Sequence, residues 1–355
     1  MENKINFSPP STREGKGVRF LLTTFSILLC SLQAVAQSLP RVAPEQVGMD
    51  SHRLLHADEA IHRAIDHKEI PGAVLAVIRH GKMAYLKAYG NKRIYPNVEP
   101  MEINTVFDMA SCSKSMSTAV SVMILVERGQ LRLLDRVSFY LPDFQEWRGE
   151  NGEKKDIRII DLMTHTSDLP PYAPVSELQE KYGSPNPKGL MEYISTCKRE
   201  FKPQTKFQYS CLNYITLQHI IETITGQSLR DFAKENIFDI LGMQYTDYLP
   251  TIQQQDGKWI NTVACPWMDR IAPTEKQKDG SVLCGQVHDP LARILNGGIS
   301  GNAGIFSNAN DIGILAATLL NGGEYNGRRI LSPLGVKTMC TVPRELTAFG
   351  RTLGW

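Results

Sequence analysis

Apolar residues recur at helical spacing early in the chain, over residues 50–67 (DSHRLLHADEAIHRAIDH). Asp50 or Ser51 suits the amino end of such a helix, because its side-chain oxygen can accept a hydrogen bond from a free backbone N–H. The opposite face carries three polar residues, His52, His56 and Glu59. A solvated surface is favoured over a metal site for this face. The inward face is predicted to consist of Leu54, Leu55, Ile61 and Ile65.

A β-hairpin is predicted in the next segment, GAVLAVIRHGKMAYLKAYG. Two runs rich in β-formers lie on either side of His80-Gly81, which is a turn signal. Because an isolated hairpin is marginally stable in water, its strands are expected to join a larger sheet.

The middle of the chain is predominantly helical in pattern. Residues 111–129 are apolar on nearly every side, which predicts a buried helix that ends at Gly129. From about 135 to 285 we expect a mostly helical subdomain, in which SDLPPYAPVSELQEKYGSPNPKG is interpreted as a long loop that shapes a pocket. A turn, a short strand and a capped helix follow in NGGISGNAGIFSNANDIGILAATLLNGG. Three further helices are predicted at 188–199, 212–225 and 228–241.

Composition narrows the classes of function. The chain has 355 residues and a net charge of +2 with no basic stripe, which argues against a nucleic-acid partner. The sequence suggests no cofactor. Cysteines show no CxxC spacing typical of a metal site, and Cys265 with Cys284 is the pair to test first for a disulfide.

The amino terminus has the pattern of a targeting segment. Basic residues precede the apolar run FLLTTFSILLCSLQAVAQS, which contains an Ala-x-Ala site at Ala34 and Ala36. We therefore predict a signal peptide over residues 1–36, cleavage after Ala36, and a periplasmic or extracellular protein with no stable membrane span once the peptide is removed. An uncleaved amino-terminal anchor is the alternative.

The buried helix opens with the one stretch that carries clear chemistry, FDMASCSKSMST. Ser111 and Lys114 are three residues apart and so share a helix face, where a lysine amine can take the serine proton. At a helix amino terminus the serine backbone N–H is free, and it can help to stabilise an oxyanion. A second Ser-x-x-Lys, Ser195 to Lys198, lies late in an amphipathic helix and is expected to face solvent.

Tyr209 stands just before a helix in FQYSCLNYITLQHIIETITG. A phenol near an ammonium could pass protons during catalysis. Taken alone, Tyr209 is better explained as a packed aromatic residue whose hydroxyl is hydrogen-bonded.

Taken together, these motifs give the chain a resemblance to the serine β-lactamase and penicillin-binding-protein superfamily, on its class C side. FDMASCSK resembles the nucleophile motif, and YSCLNY resembles Tyr-Ser-Asn. IRIIDLMTHTSDLPPY resembles a Leu-Leu-Thr-His-Thr-Ser-Gly-Leu stretch, and GNAGIFSNANDIGILAATLLNGG resembles a Gly-Gly-Leu-Phe-Ser segment. The resemblance implies an α/β fold of the β-lactamase/transpeptidase type, with an antiparallel sheet flanked by helices. It implies Ser111 as the acylated nucleophile and Lys114 with Tyr209 as a coupled proton-transfer pair.

Three departures from the family pattern stand out. Cys211 replaces the family asparagine that contacts the substrate amide, and Asn213, one turn beyond Tyr209, could substitute for it. Asp168 replaces a glycine and is expected to alter a turn rather than the chemistry, while His165 is expected to be a structural hydrogen-bonding residue. No Lys/His-Thr/Ser-Gly strand follows Ser307, so we expect the C-terminal strands to be missing and one edge of the hairpin to be bare. A protein that truly ended at residue 355 would be expected to turn over little substrate.

The favoured interpretation is a secreted serine hydrolase that cleaves a β-lactam, a D-amino-acid peptide or a small ester through an acyl-enzyme on Ser111. Its substrate would be a small molecule or derived from peptidoglycan. The alternative is a non-catalytic or degenerate relative that binds peptidoglycan or β-lactams.

Overall fold

The computed structural model describes residues 38–355, which belong to one compact unit. The predicted signal peptide lies outside the described residues. Within the described part, no helix is long and apolar enough to cross a membrane.

The first helix, α1, spans Ser51–Asp66 and is capped by Asp50, whose carboxylate accepts the backbone N–H of His52 at 2.8 Å. The predicted inward face is correct for Leu54, Ile61 and Ile65, which are half-buried, but wrong for Leu55, which is 50% exposed. The inward stripe instead includes the buried Asp58, one turn beyond Leu54.

Asp58 is buried because the hairpin supplies its hydrogen-bond partners. It accepts from the hydroxyls of Tyr85 at 2.6 Å and Tyr89 at 2.5 Å, and from Lys87 Nζ at 2.6 Å. The three donors satisfy the hydrogen-bonding capacity of the buried carboxylate, so these hydrogen bonds stabilise the packing of α1 against the hairpin.

The predicted hairpin is confirmed as β1 (Gly72–Arg79) paired antiparallel with β2 (Lys82–Arg93). β2 also pairs with β3 (Glu99–Pro100), so the sheet has the order β1-β2-β3. Among residues 38–355 no strand pairs with the other edge of β1.

A second small sheet leads into the centre of the molecule. β4 (Phe107–Asp108) pairs with β12 (Ile305–Ser307), which in turn pairs with β7 (Asp247–Tyr248). The buried helix begins directly after β4, so this sheet fixes where its first turn lies.

The buried helix is confirmed, and it contains a π-helical stretch at Lys114–Ala119 before α2 (Val120–Glu127). Gly129 follows with a φ of +68°, the left-handed conformation expected just beyond a helix end. Two polar groups in the π-helical stretch have partners elsewhere in the chain, since Ser115 Oγ donates to the carbonyl of Gly354 at 2.5 Å and Thr118 Oγ1 to that of Gly301 at 2.8 Å.

The segment interpreted as a long loop contains a helix, α4 (Val175–Tyr182), so that interpretation is wrong for these residues. The helix forms because it buries Leu178 against the core, and it stops at Gly183, whose φ is +79°. The other three predicted helices are confirmed. The first two are α5 (Pro187–Thr196) and α6 (Cys211–Thr225). The third consists of three consecutive segments: α7 (Leu229–Ala233), the π-helical Lys234–Phe238 and α8 (Asp239–Leu241).

The predicted turn, strand and helix after residue 296 are also confirmed. α9 (Ala309–Leu320) is capped by Asn308 and packs against β1. The preceding loop passes so close to α6 that a Cβ on Gly301 would lie 1.9 Å from the carbonyl oxygen of Tyr214, which requires glycine.

The remaining helices are α3 (Ile159–Met163), α10 (Pro333–Met339), the 3-10 turns Pro44–Val47, Val137–Phe139, Met268–Arg270 and Arg344–Phe349, and π-helical Leu291–Leu295. The remaining strands are β5 (Trp147–Arg148), β6 (Lys154–Lys155), β8 (Thr251–Gln253), β9 (Trp259–Asn261), β10 (Glu275–Lys276), β11 (Val282–Leu283), β13 (Glu324–Tyr325) and β14 (Arg328–Arg329). The six cysteines of the described chain carry free thiols, so the suggested Cys265–Cys284 disulfide is not present.

Candidate active site

Ser111 stands at the start of the buried helix and is exposed to solvent. The residue before it, Ala110, has a φ of +44°, an unfavourable conformation for a residue with a side chain. Asp108 holds this turn, because its Oδ1 accepts the backbone N–H of Ala110 at 2.8 Å and its Oδ2 that of His288 at 2.7 Å. The strained turn therefore presents the Ser111 hydroxyl outward, at the start of the buried helix.

Lys114 lies beneath Ser111 and is 4% exposed. Its Nζ is 3.0 Å from Ser111 Oγ, 2.8 Å from the carbonyl oxygen of Asn302 and 3.7 Å from Cys211 Sγ. These contacts leave the amine aimed at the serine hydroxyl, which is the geometry that a nucleophile and its proton acceptor require.

Tyr209 completes the group at the amino end of α6. Its ring centroid is 5.0 Å from Lys114 Nζ, and the residue is 41% exposed. The structure therefore brings Tyr209 to the pair Ser111 and Lys114, although it is distant from them in the sequence. A partly exposed phenol beside an amine can move a proton between that amine and a bound molecule.

His165 supports Tyr209 from the buried side. The two ring centroids are 4.5 Å apart, and His165 Nδ1 accepts the backbone N–H of Ser210 at 3.2 Å. Burial lowers the pKa of His165 to about 3, and the positive charges of Arg351 and Lys114 act in the same direction. A neutral, buried imidazole in this position confirms the structural role expected from the sequence.

Cys211 and Asn213, the two residues expected to contact substrate, lie at different depths: Cys211 is beside Lys114, whereas Asn213 is within the core. Cys211 is the first residue of α6, and its thiol lies beside Lys114 at the edge of the site. Burial raises the pKa of this thiol, while the charge of Lys114 opposes the shift.

Asn213 is fully buried below the site, and the structure does not bring it to the group around Ser111. Its Oδ1 accepts from Ser167 Oγ at 2.5 Å, and its Nδ2 lies 3.1 Å from His165 Nδ1. The expectation that Asn213 substitutes for the missing asparagine is not supported, because both ends of its amide are used within the core.

The second Ser-x-x-Lys does not form a comparable pair. Ser195 is buried rather than solvent-facing as expected, and α5 ends at Thr196, before the exposed Lys198 reaches the same face. Of these two Ser-x-x-Lys stretches, only the one at Ser111 therefore places the lysine amine beside the serine hydroxyl.

Asp168 alters a turn, as its sequence position suggested. It adopts a φ of +68°, the conformation that a glycine would take easily, and its Oδ2 accepts the backbone N–H of Phe201 at 2.5 Å. Burial raises the pKa of Asp168 to about 6. His288 is exposed, and its Nε2 lies 3.1 Å from the carboxylate of Glu275.

A hydrogen-bonded chain behind Lys114 was missed by the sequence analysis. Asn302, whose carbonyl holds the amine, donates through Nδ2 to Asp289 Oδ1 at 3.2 Å. Tyr172 donates its hydroxyl to Asp289 Oδ2 at 3.1 Å. These residues stand on three loops without periodicity, so only their tertiary proximity reveals them. Within the described chain, no cluster of His, Cys, Asp and Glu could hold a metal ion.

A family model and several known proteins are similar to this chain in sequence. A family model described as "Beta-lactamase" matches residues 57–355. A protein of Salmonella agona (strain SL483) named "Putative D-alanyl-D-alanine carboxypeptidase" is 32% identical over 362 aligned positions, which cover 95% of this chain and 81% of that protein. A protein of the same name from Escherichia coli (strain K12) is 31% identical, with coverage of 92% and 77%.

Solved structures share the fold. The hydrolase EstCE1, titled as having promiscuous acyltransferase activity, superimposes with a TM-score of 0.60 at 22% identity, covering 80% of this chain and 76% of that one. A class C β-lactamase from Rhodobacter sphaeroides gives a TM-score of 0.59 at 23% identity, with coverage of 80% and 70%. The match of the family model, supported by these relatives, shows that the chain belongs to the β-lactamase family of serine hydrolases.

Proposed function

We propose that this protein is a serine peptidase that removes a carboxyl-terminal D-amino acid from a peptidoglycan-derived peptide through an acyl-enzyme on Ser111. The observation that carries the proposal is the 3.0 Å separation between Lys114 Nζ and the exposed Ser111 Oγ. The names of the relatives from Salmonella agona and Escherichia coli support the peptide as substrate.

The proposed reaction has two halves. Ser111 Oγ attacks the carbonyl carbon while its proton passes to Lys114, and the Ser111 backbone N–H faces the oxyanion that develops. Lys114 and Tyr209 then act as a coupled pair, and Tyr209 delivers a proton to the leaving nitrogen as the amide bond breaks. Water attacks the acyl-enzyme in the second half and restores the serine hydroxyl.

One observation favours a second candidate, the hydrolysis of small esters. The thiol of Cys211 stands where the resemblance to the family implies an asparagine, and a thiol is a weak donor and acceptor compared with an amide. An ester substrate has no acyl-side amide that needs such a partner, so it would lose less from this replacement.

Rates on three substrates separate the candidates: an N-acyl-D-alanyl-D-alanine peptide, a nitrophenyl ester and nitrocefin. Release of D-alanine by the wild-type protein, abolished by Ser111→Ala, would support the peptidase. Hydrolysis of the ester alone, also abolished by Ser111→Ala, would favour the esterase. Inactivity on all three together with no reaction at Ser111 would favour the non-catalytic binding protein.

We also propose that the protein is exported, on the basis of the targeting pattern in residues 1–36. Amino-terminal sequencing of the mature protein is expected to begin at Gln37. A mature protein that begins at Met1 would reject the cleaved signal peptide.

A further inference from the structure

Asp289 is a half-buried carboxylate that joins three loops behind the active site. Its Oδ1 accepts the backbone N–H of Ala292 at 2.9 Å and the side-chain Nδ2 of Asn302 at 3.2 Å. Its Oδ2 accepts the hydroxyl of Tyr172 at 3.1 Å. This one side chain therefore connects its own segment to the loop before β12 and to the segment that follows α3.

Asn302 links this carboxylate to the amine of the active site. The residue is fully buried, and its backbone carbonyl oxygen lies 2.8 Å from Lys114 Nζ. Both ends of its side-chain amide are held, because Oδ1 accepts the hydroxyl of Ser300 at 2.6 Å while Nδ2 donates to Asp289. The amide therefore braces the turn at 300–303, which carries the carbonyl that holds the amine.

The orientation of the Asn302 carbonyl depends on this side chain. The carbonyl shares a peptide plane with the N–H of Ala303, which donates to the carbonyl of Ser300 at 3.3 Å, longer than the usual length of about 2.9–3.0 Å. The preceding residue, Gly301, is held by shorter hydrogen bonds from α6 and from the nucleophile helix. Those contacts fix where the turn begins, and the side chain of Asn302 fixes the plane that follows.

A small change in this plane would affect the reaction, because the carbonyl orients the proton acceptor. Lys114 Nζ lies 3.0 Å from Ser111 Oγ while it donates to Asn302. Misplacing a reacting group by about 1 Å can lower a rate by about 10²-fold. The contact between Asn302 and Asp289 therefore bears on the transfer of the Ser111 proton.

We propose that Asp289 is a positioning residue that, through the side chain of Asn302, holds the carbonyl that aims Lys114 at Ser111. This inference rests on the acyl-enzyme mechanism of the proposed function, and it applies to a peptide and to an ester alike. Loss of the contact should slow the attack by Ser111 without weakening the binding of the molecule attacked. The bond from Asp289 to the Ala292 N–H is a separate, local role that a serine hydroxyl can also fill.

The test measures how fast a fluorophosphonate probe reacts with Ser111. The serine oxygen forms a bond to phosphorus, its proton passes to Lys114, and fluoride leaves without a proton, so the reaction does not need Tyr209. Labelling is followed over time at several probe concentrations, which gives the limiting rate and the concentration that produces half of it. The final extent of labelling gives the active fraction of each variant, so partial misfolding does not alter the limiting rate.

Three variants separate positioning from support of the fold. Asp289→Ser keeps an oxygen for the Ala292 N–H but withdraws from Asn302, whereas Asp289→Asn keeps an oxygen that can accept from Asn302. Asn302→Ala removes the side chain and leaves the backbone carbonyl. Asp311→Ser is the matched control, because Asp311 is also a buried carboxylate that accepts a backbone N–H, at 2.8 Å, and a hydroxyl, at 3.0 Å.

We expect Asp289→Ser and Asn302→Ala each to lower the limiting rate by about 10-fold or more, while the half-saturating probe concentration stays the same. Asp289→Asn should keep most of the wild-type rate, and Asp311→Ser all of it. The double variant that combines Asp289→Ser with Asn302→Ala should be no slower than either single variant, because both changes remove the same contact.

A wild-type limiting rate in Asp289→Ser, or in Asn302→Ala if the former does not fold, would overturn the assignment. Losses that multiply in the double variant, or an Asp289→Asn variant as slow as Asp289→Ser, would overturn it as well. A wild-type protein that is not labelled, or labelling that survives Ser111→Ala, would instead reject the proposed nucleophile, so the two failures are distinguishable.

Discussion

Lys114 Nζ lies between the hydroxyl of Ser111, at 3.0 Å, and the carbonyl oxygen of Asn302, at 2.8 Å. One contact runs along the helix and the other crosses to a loop nearly two hundred positions later in the chain. The carbonyl can only accept a hydrogen bond, so it orients the amine and leaves the nitrogen facing the serine. This arrangement distinguishes Ser111 from the other serines among residues 38–355.

Replacing Lys114 with methionine should slow acylation of Ser111 by roughly 10²- to 10⁴-fold, the range of general-base catalysis. Methionine keeps much of the side-chain length, so the fold should be retained. Stopped-flow release of nitrophenol in the first turnover measures the acylation rate. Lys198→Met is the control, because Lys198 belongs to the second Ser-x-x-Lys and is exposed. Acylation of Lys114→Met at the wild-type rate would show that the amine is not the proton acceptor.

Tyr209→Phe should slow cleavage of an amide more than cleavage of a nitrophenyl ester. An amide nitrogen must be protonated as it leaves, whereas nitrophenolate leaves without a proton. We expect the amide rate to fall by about 10²-fold, while the ring still packs on His165. Tyr193→Phe, in α5, is the control. Equal losses on both substrates would place Tyr209 outside leaving-group protonation.

Cys211→Asn should improve amide substrates relative to esters. The new amide would stand beside Lys114, where the thiol now lies 3.7 Å from the amine. One added hydrogen bond is worth about 1 kcal/mol, so the ratio of amide to ester kcat/KM should rise by about 5-fold. Cys340→Asn, at an exposed position, should leave the ratio unchanged. A lower ratio in Cys211→Asn would indicate that the thiol itself favours amide cleavage.

The pKa of His165 makes the stability of the fold depend on pH. Because its pKa is about 3 in the folded protein and 6.5 as its ordinary value, the unfolded chain binds the proton first as the pH falls. The contribution of His165 to the free energy of unfolding should therefore decrease from pH 6.5 towards pH 3, and Asp168, whose pKa is raised to about 6, acts in the opposite direction. Urea unfolding across this range measures it.

His165→Gln should show a flatter pH dependence, although not a flat one, because burial also lowers the pKa of His219 to about 4. His56→Gln, at an exposed position, should behave as the wild-type protein does. A pH dependence in His165→Gln as steep as that of the wild type would mean that His165 is not the group responsible.

The parts of the site that lie within one element could be predicted from the sequence. Ser111 and Lys114 share a single helix face, and Tyr209 lies two residues before the helix α6. Asn302 and Asp289 could not be found in this way, because loops bring them to the site and no local pattern marks their positions.

Two errors in the predicted fold have the same physical origin. Leu55 fits the helical spacing, but the hairpin offers hydroxyl groups and an amine that make Asp58 the better residue to bury. The loop expected around residues 175–182 forms a helix because the core accepts Leu178. In both cases a tertiary contact decided the outcome against the local pattern.

Tandem mass spectrometry of the protein after reaction with a fluorophosphonate probe tests the assignment of the nucleophile most directly. We expect one modified residue, Ser111, with no adduct in Ser111→Ala and full labelling in Ser195→Ala. An adduct on another residue, or labelling of Ser111→Ala at the wild-type level, would contradict the assignment of Ser111 as the nucleophile.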